Sequence, residues 1–124
     1  MPSTPVLIIS QHASTIDYLT NLLKELGYQS ISSATCCFDL LERKKIKFIL
    51  FPILEQRIRH ISLLQKISAV YQIPYLLLTT TVSPLLLEQI KQLPPPIYCV
   101  KMGNKDSLYI YLELAKYQNY LTSQ

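Results

Sequence analysis

Val6-Leu7-Ile8-Ile9-Ser10-Gln11-His12-Ala13-Ser14-Thr15-Ile16-Asp17 is the stretch that decides how this chain folds. Four consecutive β-branched or aliphatic residues with no polar alternation describe a strand buried on both faces, as in a parallel sheet covered by helices. The polar run Ser10-Gln11-His12 ends it. Ser14 or Thr15 is then placed to cap a helix, with Asp17 near its positive end. Ile16, Leu19, Leu22, Leu23 and Leu26 recur at helical spacing until Gly27 stops the pattern.

The alternation continues outward from this unit. Residues 30–34 predict a short strand, 38–43 a helix and 48–51 another buried strand. Residues 60–71 predict a helix with Ile61, Leu64, Ile67 and Tyr71 on its inner stripe. A fourth strand follows at 75–78, and a fourth helix at 84–93 opened by Pro84. A fifth strand at 97–100 and a last helix from 106 to about 121 complete the series. The fold class is therefore α/β: a doubly wound, five-stranded parallel sheet flanked by five helices, read as a single domain over 1–124.

Composition agrees. At 124 residues, 49% hydrophobic and 16% charged, the chain can bury a core without disulfides or metals. The longest apolar runs are too short to cross a bilayer, and residues 1–5 lack the basic and apolar regions of a signal peptide. No membrane contact is expected, and the expected location is the cytoplasm. Cys36, Cys37 and Cys99 have neither zinc-site nor Cys-x-x-Cys spacing, so no metal is expected and the thiols read as reduced. Cys36-Cys37 opens the second helix, where the dipole favours thiolate, but a small buried hydrophobe is the plainer reading. A net charge of +4 does not by itself point to nucleic acid.

In an open α/β sheet the ligand site lies beyond the carboxyl ends of the strands. Here those ends carry Ser10 and Gln11, Pro52, Thr79 and Thr80, and Lys101. Three segments around them resemble the CheY-like receiver domain of response regulators, from about Val6 to Tyr117. Asn21-Leu22-Leu23-Lys24-Glu25-Leu26-Gly27-Tyr28 is similar to the family's first helix and its exit. Ile73-Pro74-Tyr75-Leu76-Leu77-Leu78-Thr79-Thr80 resembles its fourth strand, which ends in a hydroxyl residue followed by a small one. Tyr98-Cys99-Val100-Lys101 resembles the fifth, with Tyr98 at the aromatic switch position and Lys101 at the active-site lysine.

The resemblance implies an acidic pair after the first strand to bind Mg²⁺ and an aspartate after the third to accept a phosphoryl group. Ser10, Gln11 and Pro52 stand there instead. Phosphoryl transfer needs a carboxylate nucleophile and hard anionic ligands for the metal, and proline supplies neither. Glu55 and Asp17 fall on no matching position. Ser10, Gln11, Pro52, Thr79 and Lys101 are thus expected to form a degenerate phosphorylation site in a pseudo-receiver. The family's lysine is followed by proline; Met102 follows Lys101 here, so the loop before the last helix is expected to be re-routed.

Thr79 and Lys101 read most simply as a strand-end hydroxyl and a solvated lysine. Arg43-Lys44-Lys45 with Lys47 reads as a solvated helix end, while Arg57, Arg59 and His60 border the degenerate site and offer a basic dock for an acidic partner. More apolar surface is present on the last two helices than a single core stripe needs. Leu108, Tyr111, Leu112 and Ala115 can face the sheet, leaving Ile110, Leu114, Tyr117 and Leu121 as a second stripe. Leu85 and Leu87 add to it from the fourth helix, and Pro94-Pro95-Pro96 stiffens the loop that follows. The resemblance implies an interface on this face.

The sequence thus points to a non-enzymatic module that contacts a protein partner or an output domain such as a transcription factor. A homodimer through the fourth helix, fifth strand and fifth helix is expected. Nucleic acid would be contacted only through an output domain outside these residues, and no cofactor is expected. A flavodoxin-like cofactor protein is the alternative within the same topology, but residues 10–15 have hydroxyls and no glycine to cradle a phosphate. A receiver switched by phosphate at a non-standard site is the other.

Overall fold

In the computed structural model Val6 and Ile8 point into one hydrophobic core and Leu7 and Ile9 into another, so the opening strand is covered on both sides. The structure describes residues 5–34, 46, 48–53, 61–67, 69, 73–93 and 97–122. Along the chain the elements are β1 (Val6–Ile9), α1 (Ala13–Glu25), β2 (Ser30–Ser33), β3 (Phe48–Ile53), α2 (Ile61–Lys66), β4 (Tyr75–Thr79), α3 (Pro84–Lys91), β5 (Ile97–Lys101) and α4 (Lys105–Thr122). The helix expected at 38–43 lies outside the described residues, as do Cys36, Cys37, the two basic groups, Glu55, Tyr71 and the triple proline.

Among the described residues all four strand pairings are parallel, in the order β2-β1-β3-β4-β5. On one face of the sheet Leu19, Leu22 and Leu23 of α1 and Leu108, Leu112 and Ala115 of α4 pack over Val6, Ile8, Leu50, Leu76 and Val100. On the other, Leu64 of α2, Ile67 just beyond it and Leu86 of α3 cover Leu7, Ile9, Ile49, Tyr75 and Leu77. The strand order reverses between β1 and β3, which places the topological switch point at the ends of those two strands. The predicted α/β fold is the observed one, with four helices among the described residues.

Two local expectations need correcting. The cap of α1 is neither Ser14 nor Thr15 but His12, in extended conformation and without a side-chain cap bond. The Ser10 hydroxyl accepts the His12 N–H at 3.2 Å, turning the chain directly after β1. The helix therefore starts at Ala13, and no acid, Asp17 included, falls in its first turn.

Also, β3 does not stop at Phe51. It runs through Pro52 to Ile53, with Pro52 paired to Leu78. Ile49 donates toward β4, to the Pro74 carbonyl, so alternation turns the nitrogen of Pro52 toward β1. The β1–β3 register ends at Ile8–Leu50, and the missing N–H therefore breaks no ladder bond there.

Candidate functional site

Four of the strands, β1, β3, β4 and β5, deliver the expected site residues to the carboxyl edge of the sheet. Ser10 follows β1 directly and is buried, holding the His12 amide, while Gln11 is exposed. Pro52 is buried within β3. Thr79 ends β4 with only 3% of its surface accessible, and its hydroxyl lies 3.8 Å from the exposed Cys99 thiol. Lys101 ends β5, paired with Thr79 and exposed.

The register brings Thr79 and Lys101 side by side and sets Ile53 next to Thr79. Pro52 belongs to the alternate set: its partner Leu78 faces the α1–α4 core, whereas Leu77, two residues before Thr79, faces the α2–α3 core. The ring of Pro52 and the hydroxyl of Thr79 are therefore on opposite sides of the sheet. Lys101 forms no ion pair among the described residues. Nor do those residues hold any group of three His, Cys, Asp or Glu side chains close enough to share a metal ion.

The segment after Lys101 departs from an open loop. The Met102 N–H donates to the Thr79 carbonyl at 2.6 Å, which carries the β4–β5 pairing one residue past its last register pair. Asn104 then caps α4 through its side chain, which accepts the Ser107 N–H at 3.1 Å. Proline at 102 has no donor for the first of these bonds. Asn104, three residues before Ser107, is a capping signal that a helix start at 106 overlooks.

Among the side chains described, the two apolar stripes of α4 separate, with Tyr111 of the inner one only partly buried. Leu108, Leu112 and Ala115 of α4 are buried, while Ile110 is 55% and Leu114 45% exposed. In α3 Leu86 is fully buried, and its neighbours Leu85 and Leu87 are exposed at 59% and 44%. The buried residues of α3 and α4 pack on opposite faces of the sheet, and β5 is its edge strand. Tyr98 sits on β5 paired with Leu76, and Tyr117 and Leu121 lie on α4; their side chains are outside the described set.

Local sequence patterns do not show the polar contacts that tie α4 to α1. The Tyr28 hydroxyl donates to Glu113 at 2.5 Å, and Lys105 pairs with Glu25 at 3.0 Å across the surface. Burial, and after it the bonded Glu113 carboxylate, hold Tyr28 well above the ordinary tyrosine range. Burial alone pushes Tyr75 up to about 12; its hydroxyl has no hydrogen-bond partner among the described residues. A depression of about 350 Å³ between Leu26, Lys105, Asp106, Tyr109 and Ile110 adjoins these contacts. No helix is long and apolar enough to cross a membrane among the described residues.

No protein-family profile matches this sequence, and no curated protein does. Solved structures match in fold. The signal receiver domain of a putative Luxo repressor protein from Vibrio parahaemolyticus is 17% identical with a TM-score of 0.75, over 97% of this chain and 95% of that one. The signal receiver domain of a signal transduction histidine kinase from Syntrophus aciditrophicus is 16% identical with a TM-score of 0.75, over 91% and 89%. A putative pilus assembly-related protein from Burkholderia pseudomallei is 17% identical with a TM-score of 0.74, over 95% and 93%. At these identities the likeness establishes the fold, which is that of CheY-like receiver domains.

Proposed function

We propose that these residues form one pseudo-receiver domain: a non-enzymatic signalling module of the two-component type that works by protein contact, without phosphorylation. Buried Pro52 carries the reading, at the position where the receiver resemblance calls for a phosphoacceptor aspartate. Phosphoryl transfer to a receiver requires a carboxylate there and acidic metal ligands nearby. Ser10 and Gln11 supply neutral oxygens at the end of β1, and Ser10 is already engaged by the His12 amide.

The working surface in this reading is the β5 edge with the outward stripes of α3 and α4. Its residues are Leu85, Leu87, Ile110 and Leu114, with Tyr117 and Leu121 continuing along α4. Apolar side chains on two helices beside an edge strand are the composition of a contact face, not of a solvated one. The occupant is a second copy of the chain or an output domain, and any nucleic-acid contact belongs to that output domain. The cytoplasm is the compartment such a module works in.

Sedimentation equilibrium of wild type, Leu87→Lys and Ile110→Lys tests the surface. The expected result is concentration-dependent self-association in wild type and its weakening by at least about tenfold in each variant, the scale of one lost apolar anchor. A wild type that stays monomeric at millimolar concentration contradicts the homodimer.

A further inference from the structure

The path from the end of β4 to the outer stripe of α4 is hydrogen-bonded at every step. Met102 donates to the Thr79 carbonyl at 2.6 Å, and its side chain packs against the α1–α4 core. Asn104 donates to the Lys101 carbonyl at 3.1 Å, closing a turn whose third residue, Gly103, has φ +95°. That conformation suits glycine and strains other residues. The Lys105 N–H reaches the Gly103 carbonyl at 3.0 Å, and Asn104 receives Ser107 on its side chain and Leu108 on its backbone, both at 3.1 Å. Leu108 is buried, and Ile110 stands exposed two residues later.

We propose that residues 101–104 are a fixed strap that holds α4, and with it the Ile110–Leu114 stripe, in one position relative to the strand ends. The strap deepens the contact reading above and rests on it for its purpose: the face is presented in a single state, with no ligand needed at the carboxyl edge of the sheet. Met102 is its critical residue, because it supplies both the N–H that proline lacks and an apolar side chain anchored in the core. Gly103 is the second, because the turn needs a positive φ.

Amide hydrogen exchange of the full chain, followed by NMR, tests the strap in wild type, Met102→Pro and Met102→Leu. Met102→Leu keeps the N–H and an apolar side chain, and its Ser107 and Leu108 amides should exchange within about twofold of wild type. In Met102→Pro the same amides should exchange at least about fivefold faster, the factor set by one net hydrogen bond, while Leu22 and Leu23 in α1 stay protected. Unchanged Ser107 and Leu108 protection in a folded Met102→Pro protein overturns the strap. If that variant loses protection in α1 as well, Gly103→Ala decides: a Cβ there meets no atom within 4 Å, so only the backbone is strained. Faster Ser107 exchange then supports the strap, and unchanged exchange overturns it. Sedimentation of Ile110→Lys reads the face alone, so strap and face fail separately.

Discussion

The Tyr28 hydroxyl and the Glu113 carboxylate, 85 residues apart in sequence, meet at 2.5 Å and join the exit of α1 to the middle of α4. Burial first, and the bond to Glu113 after it, keep the Tyr28 proton in the folded state, so its folded pKa lies above its unfolded value of about 10. Such a group contributes stability that is complete below about pH 10. Above that the unfolded chain releases the proton while the folded one keeps it, and stability falls as pH rises. Tyr75, pushed up to about 12 by burial, acts in the same direction. Urea unfolding of wild type is expected to give a constant free energy from pH 8 to 9 and a declining one above 10. Tyr28→Phe should cost about 1 kcal/mol at pH 8 and decline less steeply. Equal slopes in the two proteins contradict the assignment.

Leu86 and Leu87 are neighbours in α3 with opposite roles, one fully buried and one 44% exposed. Leu86→Ala is expected to lower the unfolding free energy by about 2–4 kcal/mol through the cavity it leaves. Leu87→Ala should change it by less than about 0.5 kcal/mol and act instead on association. Denaturant midpoints of the two variants at equal protein concentration separate core from contact face.

Ser83 caps α3, its hydroxyl accepting the Leu86 N–H at 3.1 Å just before Pro84 opens the helix. Ser83→Ala should cost about 1 kcal/mol and Ser83→Asp much less, because aspartate restores the acceptor and favours the helix N-terminus. Thermal melts of both variants check this. The Lys105–Glu25 pair is half-exposed on both sides, so Lys105→Ala should fall within about 1 kcal/mol of wild type and lose its effect in high salt.

How much of the fold and the site is legible in the sequence depends on the range of the interactions. The runs Val6–Ile9 and Tyr75–Thr79 declare two-sided burial because every residue in them is apolar up to the polar end. The split of α4 into Leu108, Leu112 and Ala115 inside and Ile110 and Leu114 outside follows from helical periodicity alone. The end of β3 lies two residues beyond the expected one, with Pro52 inside the strand. Whether Pro52 breaks the strand depends on which neighbour its nitrogen faces, and that is set by register, not by the local sequence. His12 displaces Ser14 and Thr15 as cap because Ser10 turns the chain first. Tyr28–Glu113 and Thr79–Met102 join residues distant in sequence, and no local pattern announces either.

Intact-mass spectrometry of the chain after incubation with acetyl phosphate and Mg²⁺ tests the central claim most directly, since the claim is that Pro52, Ser10 and Gln11 leave no phosphoryl acceptor at the carboxyl edge of the sheet. The expected spectrum is a single unmodified mass, before and after incubation. A species heavier by one phosphoryl group, absent when Mg²⁺ is chelated, would contradict it.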